Sequence, residues 1–148
     1  MDQTTVFVVE DNRDHATLIQ AVFARGFSQA RVHVPVRGEG AKRYLRGEWP
    51  SYEDDEEYYS LPTIMVLDLW LPDTTGFEIL EWMNESERLA DIPVIVFTSS
   101  TNPDHIERAY ALGVRRCMQK TPNFGDLVEA VKEEIAAISE PSSGSAAG

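Results

Sequence analysis

The chain is poor in several things, and each shortage closes off a class of function. It has one cysteine, Cys117, in 148 residues, so neither an internal disulfide framework nor a cysteine-rich zinc site can form. That usage fits a reducing, cytoplasmic setting. The apolar runs are short: those at 64–67 and 94–97 fall far below the ~20 residues a membrane-crossing helix needs. The amino terminus, MDQTTVFVVEDNRD, carries acids where a signal peptide carries bases, so export is not expected. Bases are scarce too, 13 Lys+Arg against 25 Asp+Glu, for a formal net charge of −12. Such a chain repels polyphosphate and anionic lipid, and neither nucleic acid nor a membrane is expected as a partner.

What is present suffices for one packed domain, with 43% hydrophobic and 26% charged residues. Apolar runs bounded by turn formers occur at 5–9, 31–36, 63–67, 93–97 and, more weakly, 114–119. Near-continuous β-branched and aromatic runs of this kind suit strands covered on both faces. Stretches with helical spacing lie between them. Leu18, Ile19, Val22 and Phe23 share one face, as do Phe77, Leu80 and Met83. Phe124, Leu127, Val128, Val131, Ile135 and Ile138 form a longer stripe. Weaker helices are predicted at 40–46 and 103–112, the latter with Asn102 as N-cap and Pro103 in its first turn.

Strand then helix, five times over, predicts an α/β fold: a doubly wound five-stranded parallel sheet with five helices and a ligand crevice at the carboxyl ends of the strands. The expected domain spans 4–138. Within it, 48–62 interrupts the alternation with a loop insertion reading EWPSYEDDEEYY over its first twelve residues, six of them acidic. The last ten residues, SEPSSGSAAG, have linker composition and are expected to be a flexible tail at 139–148.

A parallel sheet gathers its strand ends, so the residues there are the candidates for chemistry. Strand one ends in Glu10 and Asp11, strand three in Asp68, strand four in Thr98 and Ser99, strand five in Lys120. Three carboxylates converging in a half-buried crevice repel one another unless a cation joins them. Hard oxygen donors with no histidine or cysteine at ligand spacing favour Mg²⁺. Asp68 is then a candidate nucleophile towards phosphorus, and Lys120 and Thr98 are candidates to hold the remaining phosphoryl oxygens.

These residues resemble the receiver domain of two-component response regulators, including the single-domain chemotaxis regulator and small regulators paired with bacterial phytochrome kinases. VVEDN matches the family's acidic pair, and DLWLPDTTG matches its phosphoacceptor segment from Asp68 through Pro72 to Gly76. VFTSS matches its strand-four hydroxyl step, and Lys120 its strand-five lysine. The resemblance implies a flavodoxin-like strand order 2-1-3-4-5. It implies that Asp68 is phosphorylated by a sensor histidine kinase or a histidine phosphotransfer protein. Asp11 and Asp68 would bind Mg²⁺ directly, Trp70 through its main-chain carbonyl and Glu10 through water, with Thr98, Ser99 and Lys120 on the phosphate. Catalysis would be limited to the chain's own phosphorylation and slow dephosphorylation, and the signal would leave by protein contact without an output domain, with a homodimer possible.

Three departures stand out. Cys117 occupies the place of the family's mobile aromatic, three residues before Lys120. Thr121 separates Lys120 from Pro122, where the family places the proline next to the lysine. Trp70 and Ser100 fill the two variable positions, two residues past Asp68 and Thr98, that tune the access of water to the phosphoryl group. The first two departures motivate an alternative, a pseudo-receiver or protein-binding module in which phosphorylation has little role. An aspartyl-phosphate phosphatase would need a second Asp where Trp70 stands, and a flavin binder would meet repulsion from Glu10 and Asp11 at its phosphate. His15 and His105 are expected as exposed helix residues, and Arg115 and Arg116 as surface charge.

Overall fold

The structure, a computed structural model, describes residues 4–34, 38–46, 62–121 and 123–139. The strands are β1 (Thr5–Val9), β2 (Arg31–His33), β3 (Ile64–Leu67), β4 (Val94–Thr98) and β5 (Arg116–Gln119). They pair in parallel in the order β2-β1-β3-β4-β5. The helices are α1 (Arg13–Gly26), α2 (Gly38–Leu45), α3 (Gly76–Asn84), α4 (Glu87–Ala90), α5 (Pro103–Ala111) and α6 (Gly125–Ser139). The doubly wound reading therefore stands. One element is additional: α4, a single turn that Ser86 caps by accepting from the Leu89 N–H.

The residue alternation along each strand sorts the core into two layers. Phe7, Val9, Met65, Leu67, Val94 and Val96 pack beneath α2 to α5, with Tyr44, Phe77, Ile79 and Leu80. Val6, Val8, Ile64, Val66, Ile95 and Phe97 pack beneath α1 and α6, with Ile19, Phe23, Leu127, Val128 and Val131. This period of two on both faces is why the strands read as unbroken apolar runs. Two members of the expected helical stripes stay outside: Leu18 is 49% and Ile138 45% exposed.

β2 covers Arg31–His33 of the expected 31–36 run, of which 35 and 36 lie outside the described residues, and its His33 packs on Tyr44 with ring centroids 5.4 Å apart. The acidic insertion at 48–62 lies outside the described residues apart from Pro62, and the tail lies outside them apart from Ser139. Asn102 accepts from the Asp104 N–H and Pro103 opens α5, as the sequence predicts. Gly113, with φ 98°, turns the chain from α5 towards β5 in the left-handed region that favours glycine. No helix among the described residues is long and apolar enough to cross a membrane.

Candidate functional site

The crevice is assembled by backbone hydrogen bonds between strand ends. The Asp68 N–H donates to the Val9 carbonyl at 3.3 Å, holding the end of β3 against the end of β1, and the Lys120 N–H donates to the Thr98 carbonyl at 2.8 Å, holding β5 against β4. Glu10, Asp11, Asp68, Thr98 and Lys120 therefore meet at one edge of the sheet because the pairing register requires it. Gly76 makes this geometry possible. A Cβ there would stand 2.7 Å from the Asp68 carbonyl oxygen and 3.0 Å from Leu69 Cα, so only glycine lets α3 start this close to the end of β3. That accounts physically for the glycine eight residues past Asp68.

One carboxylate oxygen from each of Glu10, Asp11 and Asp68 lies within 4.8 Å of the others. Glu10 and Asp68 are buried while Asp11 is exposed. Lys120 Nζ bridges the two buried acids, 2.6 Å from Glu10 Oε1 and 2.9 Å from Asp68 Oδ2. Burial works against the ammonium, but hydrogen bonds and charge from Glu10 and Asp68 outweigh it, so the Lys120 pKa is raised and the group stays a cation. The Trp70 N–H donates to Asp68 Oδ1 at 3.3 Å. Each oxygen of the Asp68 carboxylate thus has a donor, which fixes the plane in which it presents itself.

The donor set fits a hard divalent cation. Among the described residues three carboxylates face one ammonium, a formal excess of acid, and oxygen-only ligation suits Mg²⁺ or Mn²⁺. Thr98 is 2% exposed, and its Oγ1 accepts from the Ser100 N–H at 3.2 Å. Ser99 is exposed, and Trp70 is 45% exposed. Although Thr121 follows it, Lys120 reaches the acids directly.

Both histidines expected to be bland lie beside the site. His15, in the first turn of α1, sits 3.4 Å through Nδ1 from Lys120 Nζ and 3.8 Å from Glu10 Oε2, with its ring on Phe124. His105, in α5, places Nδ1 2.8 Å from Ser100 Oγ and its ring against Trp70 and Phe77. Neither has a spacing companion in the sequence; the available signal is that first-turn residues of helices following β1 and β4 overhang the crevice. Arg115 and Arg116 are not free surface charge either, since both pair with Glu134. Cys117 is half-buried, its N–H donates to the Tyr110 hydroxyl at 3.1 Å, and burial pushes its thiol pKa up, away from reactivity.

Residues 6–132 match the response regulator receiver domain family. The chain belongs to that family: it is a receiver domain of two-component response regulators. It is 39% identical over 132 residues to the probable methanogenesis regulatory protein FilR2 of Methanothrix harundinacea, covering 89% of this chain and 81% of that protein. The crystal structure of the phosphorylated cyanobacterial phytochrome response regulator RcpA superposes with a TM-score of 0.75 at 32% identity, covering 91% of this chain and 93% of that one. The Mn²⁺-bound form of the response regulator Rcp1 gives a TM-score of 0.74 at 28% identity, covering 93% and 95%; Rcp1 is a Synechocystis protein.

Proposed function

We propose that this receiver takes a phosphoryl group from the phosphohistidine of a sensor histidine kinase or a histidine phosphotransfer protein onto Asp68, with Mg²⁺ bound beside it. The observation that carries this reading is the Lys120 ammonium bridging Glu10 and Asp68 within a cluster of three carboxylates. RcpA, at 32% identity, was crystallised phosphorylated, and Rcp1, at 28%, with Mn²⁺; both support it.

Asp11, Asp68 and the Trp70 main-chain carbonyl would hold the ion, with Glu10 behind them. An ion held by these residues would offset charge on the carboxylates and on the phosphoryl oxygens. The rest is done by the chain. An Asp68 carboxylate oxygen forms the bond to phosphorus as the bond from phosphorus to the histidine nitrogen breaks, and that nitrogen keeps the electron pair. Lys120, charged and already on Asp68, follows the oxygen charge as it moves to the phosphoryl group. The Thr98 hydroxyl, which accepts from the Ser100 N–H, donates its own proton to a phosphoryl oxygen, and Ser99 adds a donor from the exposed side. Hydrolysis removes the phosphoryl group: water oxygen bonds phosphorus, the bond from phosphorus to Asp68 breaks, and the carboxylate and inorganic phosphate separate with the water's protons.

The added charge, roughly −1.5 to −2, biases α5 and β5 through Thr98 and Lys120, and the signal leaves by protein contact in the cytoplasm. A homodimer across α5, β5 and α6 is part of the proposal, supported by Tyr110 of α5, 48% exposed. Size-exclusion chromatography with light scattering checks it: a monomer with and without acetyl phosphate removes that part.

The central test is incubation with acetyl phosphate and Mg²⁺, read by intact mass. The wild type is expected to gain one phosphoryl group and Asp68→Asn none. A wild type that stays unmodified by this route and with phosphorylated kinase rejects the reading and leaves the pseudo-receiver.

A further inference from the structure

Two short segments flank the place where a phosphoryl group on Asp68 would sit, one running from Asp68 to Trp70 and the other from Thr98 to Ser100. They come from different strands, yet a single side chain of α5 touches both. His105 Nδ1 lies 2.8 Å from Ser100 Oγ. The same ring stands edge-on to Trp70, with centroids 5.1 Å apart and planes at 72°, and edge-on to Phe77 at 6.0 Å. Trp70 in turn meets Phe77 at 6.0 Å and 83°, so the three rings form one edge-to-face triangle, the arrangement that aromatic quadrupoles prefer. Arg108, one turn further along α5, lies over Phe77 at 4.2 Å and pairs with Glu81 of α3 at 3.3 Å. The triangle is therefore clamped between α3 and α5.

Each contact continues inward to a reacting group. Ser100 donates its N–H to Thr98 Oγ1 at 3.2 Å, and Trp70 donates its N–H to Asp68 Oδ1 at 3.3 Å. His105 touches neither Asp68 nor Thr98, but it is one residue removed from both.

We propose that His105 is a positioning residue that ties Trp70 to Ser100 and closes the outer flank of the acceptor site, so that α5 sets how readily water reaches the phosphoryl group on Asp68. The inference rests on phosphorylation of Asp68 as proposed above. A side chain almost half exposed, as Trp70 is, would otherwise sample several rotamers and open the flank; the ring contact and the hydrogen bond hold it shut. The tie also joins the lifetime of the phosphorylated state to α5. A partner that draws α5 away would loosen the flank and shorten its own signal, while one that presses α5 inward would prolong it.

The protein is phosphorylated with acetyl phosphate and Mg²⁺, the donor is removed, and loss of the phosphoryl group is followed by intact mass. His105→Ala is expected to shorten the phosphoryl lifetime about threefold to tenfold, the rate change that corresponds to one neutral hydrogen bond or ring contact. His105→Asn, which keeps a donor near Ser100, and His105→Phe, which keeps the ring against Trp70, are each expected to restore part of that lifetime. In a Trp70→Ala, Ser100→Ala background, His105→Ala is expected to add nothing to the lifetime, since both groups through which it reaches the site are gone and only its contact with Phe77 remains. Trp70 fluorescence, isolated by difference from Trp70→Phe, should become more accessible to acrylamide in His105→Ala even without phosphate. A phosphorylated wild type and His105→Ala with equal lifetimes overturn the inference alone, as does an undiminished His105→Ala effect in the double-variant background. Failure of the wild type to phosphorylate where Asp68→Asn also fails overturns the underlying reading and the inference with it.

Discussion

Two ionic clusters in this chain use the same groups in opposite proportion. At the carboxyl edge of the sheet, Lys120 sits between Glu10 and Asp68, with Asp11 beside them. On the flank of β5, Glu134 of α6 sits between Arg115 and Arg116 at 2.8 and 2.6 Å, and Glu133 completes the group at 2.8 Å from Arg116. Glu10 and Glu134 are both buried, 2% and 8% exposed. The second cluster is electrically balanced and needs nothing more; it fastens α6 to the edge strand. The first carries three carboxylates against one ammonium among the described residues, a formal excess of negative charge that a divalent cation would offset. In this chain the excess of acid lies where a metal ion is proposed, and the balanced cluster lies where α6 packs on the edge strand.

The sharpest way to break the comparison is to remove the Lys120 ammonium. Lys120→Met leaves Glu10 and Asp68 buried without a counter-charge and is expected to cost roughly 3 kcal/mol in metal-free buffer, measured by urea denaturation. Mg²⁺ should recover much of that loss, because binding to the folded state alone stabilises it. Phosphorylation by acetyl phosphate should still slow by at least about tenfold, since the ion does not replace the ammonium on the phosphoryl oxygens. If Mg²⁺ stabilises the variant no more than the wild type, the acidic cluster is not short of charge and the contrast with Glu134 fails.

A smaller break spares every charge. Gly76→Ala places a methyl 2.7 Å from the Asp68 carbonyl oxygen, which is backbone and has no easy way to yield. A cost of about 1–3 kcal/mol is expected, together with slower phosphorylation as Asp68 shifts against Lys120. Destabilisation with unchanged phosphorylation kinetics would show that α3 supports the fold without setting the acceptor.

The pocket was legible in the sequence because a parallel sheet turns distant residues into neighbours by rule: once five strands are recognised, Glu10, Asp68, Thr98 and Lys120 must share an edge. The strands themselves were legible because burial on both faces leaves continuous runs such as Val6 to Val9 and Ile64 to Leu67. Features decided by what a neighbour covers were not. Periodicity puts Leu18 and Ile138 on apolar faces but cannot say that they stay 49% and 45% exposed. A single turn such as α4 is too short to show a period. His15 and His105 carry no spacing companion, and their partners come from other elements. Arg115 and Arg116 look like surface charge until α6 brings Glu134, 19 and 18 residues away, against them.

The mildest test addresses the balanced cluster. Burial alone would raise the Glu134 pKa, but the hydrogen bonds from Arg115 and Arg116 and their charges outweigh it and lower the pKa. A carboxyl held lower in the folded state than in the unfolded one adds stability above its unfolded pKa of ~4.3, and that stability is lost as pH falls through the folded value. Glu134→Gln is therefore expected to be less stable than the wild type by about 1 kcal/mol near pH 7, a modest figure because the arginine side chains, 46% and 34% exposed, are screened by solvent. The gap should narrow below about pH 4 and shrink in high salt, as read from thermal melts across a pH series. Phosphorylation of Asp68 should not change, because Glu134 belongs to the joint and not to the acceptor. A variant that altered the phosphoryl lifetime as strongly as it altered stability would show that the two clusters are coupled through β5 and that balance does not separate structure from function here.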